Sequence, residues 1–220
     1  MPPAEQILIE TADGCRLEGD LLHPIGPVHR PDRLCGGIVV AHPHPLYGGN
    51  RHHPIVTTLS TTATEEGLVS IRFDFRGTGR STGSHTGGIG EVADFEAAIE
   101  SLVSLLPSDA PVVAAGYSFG GAMAMRATHH RITHRVGIAA PLKLLPASLA
   151  PTVPTLLLVP RHDNFTTPDE VAAVVASWQV PPVVDVVESA DHFLMGLAED
   201  VSERVMVWLR KQTGNVALHR

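Results

Sequence analysis

A serine at the centre of residues 116–120, Gly-Tyr-Ser-Phe-Gly, is the side chain of this sequence best placed to act as a nucleophile. An apolar run at residues 112–115 precedes it and an alanine-rich run at 121–125 follows it, so the pattern predicts a strand, a sharp turn and a helix. Glycines two positions on either side suit a turn that is tight and strained. The helix directs its N–H groups and its dipole at any negative charge formed nearby. Ser118 is therefore a candidate nucleophile.

An acid and a histidine follow Ser118 in the order that such a turn requires. Asp163 comes just after one predicted strand, and His192 comes after the next. A serine hydroxyl is a poor nucleophile at neutral pH, so a histidine must accept its proton while a carboxylate orients the imidazole. We expect His192 and Asp163 in these roles. Asp191 is an alternative acid, but neighbouring residues in a loop seldom direct their side chains at one another.

The loop at residues 42–49, His-Pro-His-Pro-Leu-Tyr-Gly-Gly, supplies candidate donors for the oxyanion of a tetrahedral intermediate. One donor should be the backbone N–H of Phe119, directly after the nucleophile. The two prolines of the loop have no N–H. We therefore expect the second donor to be His44, with Leu46 as the other candidate.

The same loop has an alternative interpretation as a zinc site, because His42 and His44 form an H-x-H pattern and His52 and His53 follow closely. Neither a carboxylate nor a third histidine stands at a recognised zinc-ligand spacing, so we expect no metal. The glycine-rich segment 77–83 lacks the spacing of a dinucleotide or phosphate loop. We expect a hydrogen-bonded structural loop there, and no cofactor.

The elements that must position these residues alternate between strand and helix. Strands are predicted at residues 7–11, 16–22, 37–41, 69–73, 112–115, 136–140, 155–159 and 183–187, and helices at 51–66, 91–106, from 121, at 168–178 and at 201–209. The first two strands should form an antiparallel hairpin. The alternation predicts an α/β fold, a doubly wound and mostly parallel sheet with helices on both faces. Ligand sites in such sheets lie beyond the carboxyl ends of the strands, where the candidate residues would meet.

Length and composition indicate one domain of ordinary surface character. The chain has 220 residues, a net charge of −7 and scattered basic residues, which predicts no nucleic-acid partner. We expect a single domain over residues 1–212 and a frayed tail over 213–220. Two cysteines make no disulfide framework and are expected to be buried. With no leader pattern or apolar span, we expect a cytoplasmic protein without a membrane partner, and a homodimer is left open.

Residues 42–49, 73–81, 116–120 and 190–193 resemble motifs of the small, cap-less α/β-hydrolases related to dienelactone hydrolase. The resemblance covers nearly the whole chain and implies the α/β-hydrolase fold. Dienelactone hydrolases use a cysteine where this chain has Ser118, which favours ester hydrolysis over that activity. Many hydrolases also have glycine three residues before the catalytic acid, where this chain has Pro160.

The segment 141–154, which lies where hydrolases usually insert a lid, has 14 residues and is too short for a cap domain. We expect an open site for small acyl esters, with Tyr47, Phe119, Phe165 and Phe193 as pocket walls, although each is also a candidate core residue. The leading prediction is a carboxylesterase that forms an acyl-enzyme. The alternatives are a thioesterase, aminopeptidase or acyltransferase with the same triad, and a non-catalytic binding protein on this scaffold.

Overall fold

The computed structural model describes residues 4–25, 34–142 and 151–214, and within them strands and helices alternate as predicted. The strands are β1 (Ala4–Glu10), β2 (Arg16–Leu22), β3 (Gly37–Ala41), β4 (Val69–Phe73), β5 (Val112–Tyr117), β6 (His134–Ile138), β7 (Thr155–His162) and β8 (Val183–Asp191). The helices are α1 (Pro54–Glu65), α2 (Ile89–Val103), α3 (Phe119–Arg126), α4 (Pro168–Val175) and α5 (Ala198–Gly214), with a short 3-10 helix at Pro45–Tyr47.

The strands form one sheet in the order β1-β2-β4-β3-β5-β6-β7-β8. β2 pairs antiparallel with β1 and with β4, whereas every pair from β4 to β8 along the sheet is parallel. The predicted mostly parallel sheet with an antiparallel opening hairpin is confirmed. Because β3 lies between β4 and β5, the chain winds outward in both directions from this point. The loops after β3 and β5 thus border the crevice where ligands bind in doubly wound sheets.

Each central strand is buried on both faces, which explains its continuous apolar sequence. In β3, Val39 and Ala41 point into one core cluster, and Ile38 and Val40 point into the other. Helices α2, α3 and α4 cover the first face, and α1 and α5 cover the second. The turn after β5 and the end of β8 are therefore anchored in a packed core.

Several element boundaries differ from the predictions for local reasons. α1 begins at Pro54 because the His53 ring nitrogen accepts the Ile55 N–H and caps the helix there. α4 ends at Val175, since the Trp178 N–H turns back to the Val175 carbonyl. α5 continues to Gly214, so the predicted frayed tail begins inside a helix; residues 215–220 lie outside the described ranges.

The expectation that both cysteines are buried is wrong. Cys15 is partly buried in the turn before β2, and Cys35 is exposed because it precedes the point where the chain enters the sheet. Within the described ranges, none of the helices combines the length and the apolar character that a membrane crossing needs. Residues 143–150 of the segment predicted to be too short for a cap lie outside the described ranges.

Candidate active site

Ser118 stands at a strained turn between β5 and α3. Its φ of 51° and ψ of −117° lie in a region that non-glycine residues rarely adopt. The conformation is held from both sides, because the Ser118 N–H donates to the Ile138 carbonyl at 2.8 Å and its own carbonyl accepts from the Ala122 N–H at 3.0 Å. The predicted strand, sharp turn and helix around Ser118 are confirmed.

The three residues predicted as a triad form a continuous chain of hydrogen bonds. The Ser118 hydroxyl oxygen lies 2.9 Å from Nε2 of His192, and Nδ1 of His192 lies 2.8 Å from Oδ2 of Asp163. A neutral imidazole that donates from Nδ1 to the carboxylate presents its Nε2 lone pair to the serine hydroxyl. The arrangement can therefore remove a proton from Ser118 and hold the resulting imidazolium.

The ladder between β7 and β8 brings the acid and the base together. These two strands continue, through an irregularity near Pro160, until His162 pairs with Asp191. The next residue on each strand is then Asp163 on one side and His192 on the other. Asp191 accepts a hydrogen bond from the Phe193 N–H at 3.0 Å, so its carboxylate closes a turn and is directed away from the imidazole.

Asp163 is buried and surrounded by donors. Its Oδ1 accepts the Phe165 N–H at 2.7 Å and the Thr166 N–H at 3.2 Å, while Oδ2 faces His192. Burial by itself would raise the pKa of Asp163, but the hydrogen bonds from His192 and from the two backbone amides outweigh it and lower the pKa below its usual value. The carboxylate is therefore charged at neutral pH, as its partner histidine requires.

Tyr117, to which no motif of the sequence assigned a role, supports the histidine loop. Its hydroxyl donates to the His192 backbone carbonyl at 2.8 Å, and its ring packs against the imidazole with 5.9 Å between centroids. Burial raises the pKa of Tyr117 above its usual value, so the phenol stays a donor. Tyr117 is the last residue of β5 and directly precedes the nucleophile. Because successive side chains of a strand point to opposite faces of the sheet, the sequence could have placed Tyr117 on the face opposite Gly116.

The two predicted oxyanion donors lie side by side. The His44 and Phe119 rings are 4.9 Å apart between centroids, and neither backbone N–H has an acceptor among the residues that the structure describes. The Leu46 N–H, by contrast, donates to Nδ1 of His44 at 3.2 Å. Among the two candidates in the 42–49 loop, the backbone N–H of His44 is thus the one that is free, and its role as an oxyanion donor stays a prediction.

Both ring nitrogens of His42 are hydrogen-bonded to the backbone, which gives this residue a structural role. It is fully buried, its Nδ1 donates to the Pro43 carbonyl at 2.6 Å, and its Nε2 accepts the Phe75 N–H at 3.0 Å. Burial lowers the pKa of His42 to about 4, so the ring is neutral. Within the ranges described, no group of three histidine, cysteine or carboxylate side chains is arranged to hold a metal ion.

The glycine-rich segment 77–83 is a hydrogen-bonded loop, as predicted. The Gly77 N–H donates to the Thr82 carbonyl, and the Ser81 hydroxyl donates to the Asp74 carbonyl at 2.8 Å. The loop is also held at its start, where the Arg76 guanidinium donates to both carboxylate oxygens of the buried Asp94. These internal contacts account for the glycines without a bound phosphate.

The predicted pocket walls divide into two groups. A cavity of about 160 Å³ beside the candidate oxyanion donors is lined by His44, Gly87, Phe119, Ala122, Met123, Arg126 and Pro141. Phe119 thus lines this cavity, whereas Tyr47, Phe165 and Phe193 do not line it. These three side chains are 86%, 51% and 59% exposed, so they belong to neither the cavity nor the core. They form an open rim instead, with Phe165 and Phe193 against His192 and Tyr47 against His44.

Known proteins share this architecture. An uncharacterized protein of Rickettsia prowazekii is 31% identical over 183 residues, which cover 78% of this chain and 77% of that protein. The solved structure of an α/β serine hydrolase homologue from Coxiella burnetii is 29% identical, with a TM-score of 0.79 over 92% of this chain and 95% of that one.

Two further solved structures share the fold at lower identity. An α/β serine hydrolase without a lid from Xanthomonas campestris is 23% identical, with a TM-score of 0.82 over 95% of this chain and 94% of that one. An esterase from Pyrococcus furiosus is 19% identical, with a TM-score of 0.76 over 95% and 92% of the two chains.

A family match covers the first part of this arrangement. It agrees with the sheet order, with the strained serine turn after β5 and with the hydrogen-bonded serine, histidine and acid at one sheet edge. Residues 38–149, which include the loop after β3 and the serine turn, match the α/β hydrolase family. This match, which covers just over half of the chain, establishes that the chain belongs to the α/β hydrolase family, and the similar α/β serine hydrolase homologue from Coxiella burnetii supports a hydrolase of that fold.

Proposed function

We propose that the protein is a carboxylesterase that cleaves small acyl esters through an acyl-enzyme on Ser118. The observation that carries the proposal is the unbroken hydrogen-bonded chain from the Ser118 hydroxyl through His192 to the charged, buried Asp163. The backbone N–H groups of His44 and Phe119, which have no acceptor within the described ranges, support it, because acyl transfer needs donors for an oxyanion at this position.

In the proposed reaction, Ser118 Oγ attacks the ester carbonyl carbon as Nε2 of His192 takes the hydroxyl proton. The carbonyl oxygen becomes an oxyanion and accepts hydrogen bonds from the two backbone amides. Collapse of this intermediate breaks the bond to the alcohol oxygen, which leaves with the proton from His192. Water then attacks the acyl-enzyme by the same route in reverse, which releases the carboxylic acid and restores Ser118. This cycle uses no metal and no organic cofactor.

Small substrates are proposed because the surroundings of Ser118 are open. Three large aromatic side chains at the rim are mostly exposed, and the adjoining cavity of about 160 Å³ has room for only a short acyl group. A long lipid chain would find little apolar surface to cover it, so binding energy should stop rising after a few methylene groups.

The test is a series of p-nitrophenyl esters from acetate to decanoate, assayed on the wild type and on Ser118→Ala. We expect kcat/KM to fall beyond butyrate, and Ser118→Ala to lose about 10⁵-fold in kcat or more. Ser108→Ala is the matched control, because Ser108 is exposed in the loop before β5, at the opposite edge of the sheet. That variant should behave as the wild type does.

A fluorophosphonate probe, which labels activated serines covalently, separates the alternatives. A wild type that is labelled at Ser118 but cleaves none of the esters has a working nucleophile and a different acyl substrate, such as a thioester or an amide. A folded wild type that is neither labelled nor active would refute catalysis and favour a binding protein on this scaffold.

A further inference from the structure

The cavity beside the oxyanion donors follows one face of α3 and ends at a charged residue. Phe119, Ala122, Met123 and Arg126 are spaced i, i+3, i+4 and i+7, which places them in one row along the helix. The row begins with the residue after the nucleophile and ends two turns later. We infer that the acyl group of the substrate carries a carboxylate at its far end, and that Arg126 binds this carboxylate. The inference rests on the proposed esterase function and narrows its substrate class.

Within the part of the chain that the structure describes, Arg126 is a cation without a counterion. It is half-buried, and it makes no hydrogen bond or ion pair with any residue in the described ranges. None of the seven residues that line the cavity is acidic, and burial together with the nearby His85 lowers the pKa of His44, which keeps that ring neutral. A half-buried guanidinium in a largely apolar cavity attracts a carboxylate more strongly than one in water does, and its planar donors match both carboxylate oxygens.

A basic residue in the last turn of a helix often stabilises the carbonyl groups at the helix end. At the end of α3, a different arginine binds these carbonyl groups. The buried Arg135 donates to the Ala124 carbonyl and, at 2.6 Å, to the Ala127 carbonyl, which closes the end of α3. The Arg126 guanidinium lies elsewhere, beside the turn that precedes α2. A β-carbon built on Gly88 would stand 2.9 Å from its Nη1 and 3.2 Å from Cε of Met123. The absence of a side chain at Gly88 thus leaves space for the guanidinium.

The position of the cavity assigns the carboxylate to the acyl part of the ester. The leaving alcohol takes its proton from His192, so it must lie on the side of the imidazole. The cavity is lined by the oxyanion residues His44 and Phe119 and contacts neither His192 nor Phe165. It therefore receives the substituent that stays on the carbonyl carbon.

The length and volume of the cavity indicate that the acyl group derives from a short dicarboxylic acid. Seven residues of helix separate Phe119 from Arg126, which is about 10 Å along the axis, and helical side chains lean back toward the N-terminus. At about 30 Å³ for each water-sized group, a cavity of about 160 Å³ holds roughly five non-hydrogen atoms. An acyl group derived from a four- or five-carbon dicarboxylic acid has this size and carries its charge at the right end.

The test compares a charged ester, 4-nitrophenyl hydrogen glutarate, with its neutral methyl ester, 4-nitrophenyl methyl glutarate, which has the same acyl chain with the far carboxylate capped by a methyl group. The readout is the ratio of their kcat/KM values, charged over neutral. We expect a ratio of about ten or more for the wild type. The ratio should fall by about tenfold or more in Arg126→Gln and should be intermediate in Arg126→Lys. Arg80→Gln, which removes an exposed arginine of the 77–83 loop, is the control and should keep the wild-type ratio.

The outcomes separate this inference from the proposed function. A wild type that cleaves the neutral ester without preferring the charged one, or an Arg126→Gln variant that keeps the preference, would overturn the inference and leave the esterase proposal intact. A wild type that cleaves neither ester and is not labelled by fluorophosphonate would overturn both. Thermal unfolding of each variant shows whether a changed ratio belongs to a folded protein.

Discussion

At the scale of single residues, the surroundings of two aspartates separate their roles. Asp163 is buried, accepts two backbone N–H groups and faces Nδ1 of His192. Asp191 directly precedes that histidine in the chain, yet its carboxylate is exposed and accepts from the Phe193 N–H. Proximity in sequence therefore indicates the wrong acid, and proximity in the sheet indicates the proposed one.

We predict that Asp163→Asn lowers kcat for p-nitrophenyl butyrate by about 10³ to 10⁴-fold, because an amide cannot hold the required tautomer or stabilise the imidazolium. Asp191→Asn is the matched control, and its kcat should stay within about threefold of the wild type because the Asn side chain can still accept from the Phe193 N–H. Steady-state kinetics of both variants measure these changes in kcat. Equal losses in the two variants would contradict the assignment of Asp163.

At the scale of elements, the serine turn depends on close contact between β3, β5 and α3. A β-carbon on Gly116 would lie 2.2 Å from the Gly120 carbonyl carbon, and one on Gly120 would lie 2.4 Å from the Ala41 carbonyl oxygen. These neighbours are backbone atoms, which cannot move aside as a flexible side chain can. The glycines of the motif are thus required by the packing of three elements, in addition to the bend itself.

We predict that Gly120→Ala lowers the free energy of unfolding by about 3 kcal/mol or more, since overpacking against backbone must shift α3. Gly14→Ala is the control: Gly14 has a φ of 84° but no atom within 4 Å of a built β-carbon. That change should cost only the strain of the left-handed conformation, roughly 1–2 kcal/mol. Urea denaturation of the two variants measures both values, and equal losses would show that the contact with Ala41 does not matter.

His42 joins the ends of β3 and β4, and its protonation should weaken that link. Its folded pKa is about 4, below the ordinary value of 6.5, so the neutral ring contributes full stability above pH 6.5 and the contribution falls as the pH decreases toward 4. The loss over this range is about 3 kcal/mol. An NMR titration of the imidazole C–H resonances should show one histidine with a midpoint near pH 4 that is missing in His42→Gln. A midpoint near 6.5 for His42 would contradict the burial argument.

At the scale of the whole molecule, a buried charge network attaches the opening hairpin to the parallel sheet. Asp20 on β2 accepts from Arg72 on β4, with 2.9 Å between Oδ2 and Nη2, and lies 3.4 Å from Nε of Arg51. Arg51 also binds the carboxylate of Asp74, which follows β4. The same residues connect β2, β4 and the segment before α1, so the network holds together parts of the chain that lie far apart in sequence.

We predict that Asp20→Ala lowers the free energy of unfolding by about 3 kcal/mol or more, because it leaves two buried guanidinium groups with one carboxylate fewer. The control is Glu188→Gln, which breaks the exposed ion pair with Arg161 and should leave the urea midpoint unchanged. A stable Asp20→Ala variant would mean that the hairpin is held by apolar contacts alone.

The sequence by itself determined the order of the elements, the turn that bears Ser118 and the serine, acid, histidine order. These features are local or follow from rules of chain order: periodicity predicts strands and helices, and small residues predict a tight turn. The glycine spacing of residues 77–83 also predicted a hydrogen-bonded structural loop, which the structure shows. The catalytic roles of Ser118, Asp163 and His192 remain predictions that the mutants test.

Only the tertiary structure decided which side chains face one another. The pairing of His162 with Asp191 placed Asp163 beside the imidazole, and burial made His42 a neutral link in place of a metal ligand. The alternative in which Tyr47, Phe165 and Phe193 are core residues is wrong, because the sheet edge leaves them exposed, and their role as pocket walls stays a prediction. The inferred role of Arg126 depends on the space that Gly88, on a separate part of the chain, leaves for its guanidinium. Such contacts join residues that are far apart in sequence, and no local pattern encodes the distance between them.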